Sequence, residues 1–194
     1  SIVISDSNDE KTQLIVNAIN QKLNNYNNTI DMSKPCYLKQ GDSNKLESLY
    51  ADINAGKIGA LITYNINPAY ILPAAEDFKL MLDKIELKIS TSSYLDETAV
   101  LMDYVCPDSH NLESWGDANP SHGKYTLMQP TINPLFNTRQ FQESLLIWKG
   151  DTDYYTYLKS FWKNKGVEWE QALHDGYFNL SQEKLTPKKF TFSG

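Results

Sequence analysis

Apolar positions along this chain switch between two periods, short β-branched runs and longer stretches with helical spacing. Ile2-Val3-Ile4 has the composition of a strand, and Asp6 to Asp9 after it is a polar turn with N-cap chemistry. Leu14, Ile15, Ala18, Ile19 and Leu23 then recur at helical intervals, which predicts a helix over residues 10–23. Residues 24–34 form an Asn-rich connection, and Cys36-Tyr37-Leu38 reads as a short strand. A second helix is expected over 44–54, with Leu46, Leu49, Tyr50 and Ile53 on one face and Gly56 at its stop. The continuous apolar run 59–64 predicts a buried strand. A turn at 65–68, a helix over 75–85 with Phe78, Leu82 and Ile85 inward, a strand over 87–91, a helix over 97–103 and a brief strand at 104–106 follow. The last part differs: 140–149, 154–165 and 168–178 read as three short helices rich in Trp and Tyr.

Strand–helix alternation at this rhythm predicts an α/β domain, a Rossmann-like three-layer arrangement around a mostly parallel sheet, with a C-terminal helical tail. We place the α/β domain at residues 1–150 and the tail at 151–194, packed on that domain or on the rest of a longer chain. The sequence opens without a start methionine or a signal-peptide pattern, so the expectation is a domain of a longer protein.

Composition narrows the function. A net charge of −6 and the lack of any basic run argue against a nucleic-acid partner. Arg139 is the only arginine among 18 basic residues, so no arginine cluster can read phosphates or carboxylates. The apolar runs fall short of the ~20 residues that span a bilayer. Cys36 and Cys106 stand alone, cannot by themselves hold an iron–sulfur cluster or zinc, and are expected as buried small apolar residues.

The candidate chemistry concentrates between Asp96 and Leu135, where a long polar run carries Asp108, His110, Glu113, Asp117 and His122. It contains no HExxH motif and no GxSxG elbow, so a hydrolase built on His110, Glu113 and Asp117 rests on residue types alone. The reading is of acids bound to backbone amides and solvated histidines in a surface loop pinned by Trp115, Pro130 and Pro134, with no catalytic residue and no metal ligand. Trp148, Trp162 and Trp169, with Tyr154, Tyr155, Tyr157 and Tyr177, are expected as core or as an interface. At the carboxyl edge of the expected sheet, the loop at 65–68 is an Asx-Pro turn whose Asn67 amide could meet a ligand. No dinucleotide or P-loop fingerprint accompanies it.

The order of these motifs resembles a known family. A strand, the loop Asn65-Ile66-Asn67-Pro68, Asp96-Glu97-Thr98-Ala99, Asp103-Tyr104-Val105-Cys106-Pro107 and Glu113 followed by Gly116 resemble the third domain of molybdopterin oxidoreductases. More narrowly, Leu112–Asp117 and Gln129–Phe136, followed by Arg139, resemble the molybdopterin-like iron–sulfur subunit of alternative complex III, a bacterial quinol-oxidising respiratory complex. That resemblance implies cofactor-binding positions at Asn65, Asn67, Pro68, Glu97 and Thr98. In cofactor-bearing relatives these loops lie near the guanine dinucleotide end of molybdopterin. The family's glycine is Asn65 here, and a side chain where backbone approaches a ligand weighs against cofactor binding.

The implied role is a non-catalytic scaffold in electron transfer. No cofactor is expected in these residues, and iron–sulfur clusters are expected elsewhere on the parent chain. The partners would be the rest of that chain and the other subunits of a respiratory complex, at the periplasmic face of the bacterial inner membrane. The alternative is a molybdopterin-guanine-dinucleotide-binding domain of an active molybdenum oxidoreductase.

Overall fold

The computed structural model describes residues 1–38, 41–151 and 153–181. These fall into two compact units. The larger takes residues 41–117 and 127–176, and the smaller takes 1–38, 118–126 and 177–181. Residues 182–194 of the expected tail lie outside the described residues.

The larger unit holds a parallel sheet in the order β1 (Ala60–Thr63), β2 (Leu87–Ser90), β3 (Tyr104–Val105). The register pairs Ala60 with Leu87, Thr63 with Ser90, and Ser90 with Val105. Parallel neighbours require crossovers. Here α3 (Pro68–Ile71) and α4 (Ala75–Leu82) make the first, and a 3-10 turn at Ala99–Leu101 makes the second. The α/β class with a parallel sheet is therefore present. The run 59–64, expected to be buried throughout, is not: Ala60 and Ile62 are exposed and only Thr63 is buried within β1.

Asp42 caps α2 (Ser43–Asn54), accepting the N–H groups of Asn44 and Lys45. Ile53 of α2, Ala69 of α3, and Phe78, Met81, Leu82 and Ile85 from α4 and its end form one buried core. The inward face expected for residues 75–85 is thus the core face. The segment expected as a helix over 97–103 forms only the single 3-10 turn.

Three further helices complete the larger unit, α5 (Phe141–Lys149), α6 (Tyr154–Asn164) and α7 (Trp169–Asp175). Gly150 at φ 102° and Gly176 at φ 72° close α5 and α7 in the left-handed region. Leu146, Leu158, Trp162, Trp169 and Ala172 are buried, whereas Trp148, Tyr157 and Tyr177, from the set expected as core or interface, are exposed. Trp169 is 1% exposed, with its ring centroid 6.3 Å from Trp115 and 6.0 Å from Tyr155. Trp115 thus pins its segment to the helices, as expected.

In the smaller unit Asp9 caps α1 (Glu10–Lys22) by accepting the Thr12 N–H at 2.8 Å. The strand expected at Ile2–Ser5 enters no ladder. The Asn20 carboxamide takes the place of a neighbouring strand, accepting from Val3 N at 3.0 Å and donating to Val3 O at 2.7 Å. Residues 36–38 contribute one bridge, Cys36 to Ser121, in place of a strand. Cys36 and Cys106 are both exposed, against the expectation of burial. Each sits where backbone pairing fixes it, Cys106 donating its N–H to Ser90 O, so its side chain need not face a core.

The long polar run is not one loop. It contains β4 (Gly116–Ser121) and β5 (Lys124–Met128), joined through His122-Gly123, with β6 (Tyr177–Asn179) antiparallel to β5. Gly123 has φ 75°, and a Cβ there would meet Leu180 O at 3.1 Å, so the turn requires glycine. Among the described residues no helix is long and apolar enough to cross a membrane.

Trp169 is buried with its indole N–H unpaired. We expect Trp169→Ala to lower unfolding free energy by about 3–5 kcal/mol in chemical denaturation. Trp169→Phe keeps most of the ring and removes an orphaned donor, so its cost should fall below about 1.5 kcal/mol.

Candidate functional site

The carboxyl edge of the parallel sheet is built from the loops after β1 and β2. Pro68 is buried at the first position of α3, where its missing N–H costs nothing and its fixed φ suits the helix. Asn67 precedes it, and its backbone carbonyl accepts the Tyr70 and Ile71 N–H groups. Asn65 has φ 52°, the left-handed backbone that the family's glycine would adopt freely and that Asn tolerates best among other residues.

The second loop meets the first through side chains. Thr98 is 0% exposed; its hydroxyl accepts the Ala69 N–H at 2.9 Å and donates to Asn67 Oδ1 at 2.7 Å. The other end of that carboxamide, Asn67 Nδ2, donates to Glu97 Oε2 at 2.7 Å. Asp96 fixes the turn from below, its Oδ1 accepting the N–H groups of Thr98 and Ala99 and its Oδ2 the Ser92 hydroxyl. Asn67, Pro68, Glu97 and Thr98, read as one site from sequence, therefore come together. Asn65 stands apart, exposed, on the wall of a neighbouring cleft. The Asn67 hydrogen bond is the main reason the Glu97 carboxyl is held below its ordinary value.

That cleft has a volume of about 490 Å³ and runs from Tyr64, Asn65 and Ser93 to Trp115, Asp117, Gln140 and Tyr154. Sequence reasoning missed Gln140 and Tyr154 as members. Their only signal was their place beside tail helices whose docking no local pattern encodes. Burial pushes Asp117 up, opposed by the Trp162 indole N–H donating to its Oδ2 at 2.9 Å. Tyr154 is pushed up to about 12, chiefly by burial and then by Asp117, Tyr157 and Tyr64.

The acids and histidines of the polar run each have a local partner. Asp108 Oδ1 accepts the Phe141 N–H at the start of α5. His110 and Glu113 form a capping box around the 3-10 turn Asn111–Glu113, with His110 Nδ1 accepting Leu112 N–H and Glu113 Oε2 accepting His110 N–H. Glu113 Oε1 also accepts the Leu135 N–H. His122 lies in the smaller unit, within hydrogen-bond distance of the Tyr37 hydroxyl at 3.1 Å. Among the described residues no three His, Cys, Asp or Glu side chains gather as a metal site.

Thr98→Val should leave the Ala69 N–H buried without an acceptor and cost about 1–3 kcal/mol in urea unfolding, while Thr98→Ser should retain most of that stability. Glu97 has a folded-state value below its unfolded one. Its contribution is therefore complete above about pH 4.5 and is lost as pH falls through the lowered folded-state value. A carbon-detected NMR titration should show Glu97 titrating below 4.5, and Asn67→Ala should move it back up.

No family model matches the chain. It is 37% identical over 95 residues to the menaquinone reductase, molybdopterin-binding-like subunit of Nitratidesulfovibrio vulgaris, covering 47% of this chain and 14% of that protein. It is 37% identical over 68 residues to a tetrathionate reductase subunit of Salmonella typhimurium, covering 33% of this chain and 7% of that protein. The chain thus spans a small part of the length of these curated relatives. Among solved structures, acetylene hydratase from Pelobacter acetylenicus matches 70% of this chain and 20% of its own, with a TM-score of 0.57 at 17% identity, a likeness of fold. Together these similarities support a molybdopterin oxidoreductase-type subunit or domain, the family that the motif order resembles.

Proposed function

We propose that this chain is a non-catalytic scaffold domain of a larger iron–sulfur and molybdopterin-like subunit in a respiratory quinol oxidoreductase. The observation that carries the reading is the closed network at the sheet edge. Both ends of the Asn67 carboxamide are held within the protein, one by Glu97 and one by the buried Thr98 hydroxyl. A ligand would have to use the carboxamide's second N–H or second oxygen lone pair, in the orientation that Glu97 and Thr98 fix.

A pterin dinucleotide carries a diphosphate, and the residues at this edge do not fit one. Glu97 keeps its negative charge at the loop, and the residues lining the adjacent cleft include Asp108 and Asp117 but no Lys or Arg. The chain's one arginine is engaged elsewhere, its Nε donating to Ser144 Oγ at 3.0 Å. Anion sites are ordinarily built from cations or helix N-termini, and α3 at this loop is only four residues long.

The role that remains for these residues is to lock two loops of the sheet edge. Tyr70, Ile71, Tyr94 and Leu95 beside that lock are all more than 60% exposed, an apolar rim that the rest of a parent chain would cover. The "molybdopterin-binding-like" relative in a menaquinone reductase supports a quinone-linked setting. In this reading iron–sulfur clusters lie elsewhere in the parent, the other subunits of the respiratory complex are its partners, and the domain sits at the periplasmic face of the inner membrane.

A second reading is an active molybdopterin-guanine-dinucleotide-binding domain in which Asn67, Glu97 and Thr98 contact the cofactor. One observation favours it: the left-handed backbone at Asn65 keeps the shape of the family's glycine loop. Metal analysis and pterin fluorescence on the purified parent protein separate the two. The scaffold reading expects neither molybdenum nor pterin at stoichiometric level, and one molybdenum atom per chain sinks it.

A further inference from the structure

Residues 129–136 form a strap with neither helix nor strand, and its Ile132, Leu135 and Phe136 side chains are exposed. Among the described residues, the hydrogen bonds of this strap all run to one short turn. Thr131 and Ile132 donate their N–H groups to Leu112 O at 2.8 and 3.1 Å, and the Thr131 hydroxyl lies 3.5 Å from the same oxygen. The Leu135 N–H donates to Glu113 Oε1 at 3.1 Å. That turn, Asn111–Glu113, keeps its shape through a capping box. His110 Nδ1 accepts the Leu112 N–H at 3.2 Å, and Glu113 Oε2 accepts the His110 N–H at 3.2 Å. Capping boxes ordinarily use Ser or Thr, whose hydroxyl oxygen accepts without regard to pH. A histidine nitrogen accepts only while it carries no proton.

We propose that His110 makes this strap pH-sensitive: the neutral ring closes the box and holds residues 129–136, and protonation opens the box and frees them. A protonated ring presents an N–H at both nitrogens, so Nδ1 meets the Leu112 N–H donor to donor and the ring must turn away. The ionisable groups around it are Glu113 on its own turn, Asp108 just before it, and Asp117, Tyr64 and Tyr154 in the lining of the cleft that His110 shares. The charged ones are all carboxylates, and they stabilise the imidazolium once it has left the cap. Glu113 already accepts from His110, and a carboxylate drawn to the imidazolium leaves the Leu135 N–H. One proton thus undoes both ends of the box. The open strap binds that proton more tightly than the closed one, so closure is complete at neutral pH and is lost as pH falls. His110, Asn111 and Ser114 also line the cleft, so opening the turn reshapes the cleft wall. The device rests on this turn and does not depend on the scaffold reading.

Amide hydrogen exchange followed by ¹H–¹⁵N spectra of the 194-residue chain is the test, with His110 protonation read from its own ring signals. Between about pH 7.5 and pH 5.5, the interval in which histidine ordinarily changes charge, Thr131, Ile132 and Leu135 should lose protection by about fivefold, the size of one lost cap acceptor. That figure is taken after correction for the intrinsic pH dependence of exchange, and the loss should follow the His110 ring signals. Amides of α4 and α6 should keep their protection, which separates release of the strap from unfolding. His110→Asn retains a cap acceptor and cannot be protonated in this interval, so it should hold the strap closed at both ends of it. His110→Ala removes the acceptor and should leave the strap open at both. The proposal is overturned if His110 takes up its proton while Thr131, Ile132 and Leu135 stay protected, or if His110→Asn shows the same step as the parent sequence.

Discussion

The Thr98 hydroxyl is the small constraint on which the sheet edge depends. It is fully buried, accepts the N–H of Ala69 and donates to Asn67, so it satisfies a helix-start donor and orients a carboxamide at once. A helix as short as α3 has no stability of its own, because nucleation is costly and four residues return little of that cost. Proline at its first position and the Thr98 acceptor supply from outside what its length cannot. Once the loops after β1 and β2 are tied, the wall of the neighbouring cleft is set by the backbone of Tyr64 and Asn65.

The same logic accounts for what the acids and histidines of the polar run do in the structure. Turn-dense backbone leaves many N–H groups without ladder partners, and Asp, Glu and His are the side chains that accept from them. Asp108 takes the first N–H of α5, Glu113 takes those of His110 and Leu135, and His110 takes that of Leu112. A nucleophile or metal site needs such groups convergent and free of these duties. In this run Asp108, His110 and Asp117 do line one cleft, but Asp108 and His110 hold backbone N–H groups and Asp117 holds the Trp162 indole, while Glu113 is outside that lining.

Legibility followed the length and regularity of each element. Helices α1, α2, α4, α5 and α6 appear within a few residues of where the apolar period places them, although the apolar positions of α1 are exposed and Asn20 is its one buried residue. The strand expected at Ile2–Ser5 failed for a reason composition hides. Its β-branched residues favour an extended backbone, but that backbone found its partner in the Asn20 side chain. The β4–β5 pair was hidden because Gly, Asp, Asn and Pro in β4 read as loop, while its pairing is set by β5 and β6 from afar. The cysteines misled because small size permits burial without requiring it. At the site, the family resemblance singled out the Asn67–Glu97–Thr98 group, and no periodicity could have shown that Gln140 and Tyr154 fold back to the cleft.

Charge then separates what the fold permits from what these residues support. An open parallel sheet offers a ligand crevice outside its carboxyl ends whatever its sequence. Which ligand is taken depends on the side chains that reach the edge, and function has to be argued at that level. In this chain the edge carries Glu97 on one side and Asp108 and Asp117 on the other, with the single arginine turned to Ser144. On the scaffold reading proposed above, an anionic cofactor would meet the carboxylates of the cleft, and no rearrangement of side chains at the edge can supply an arginine cluster that the sequence lacks.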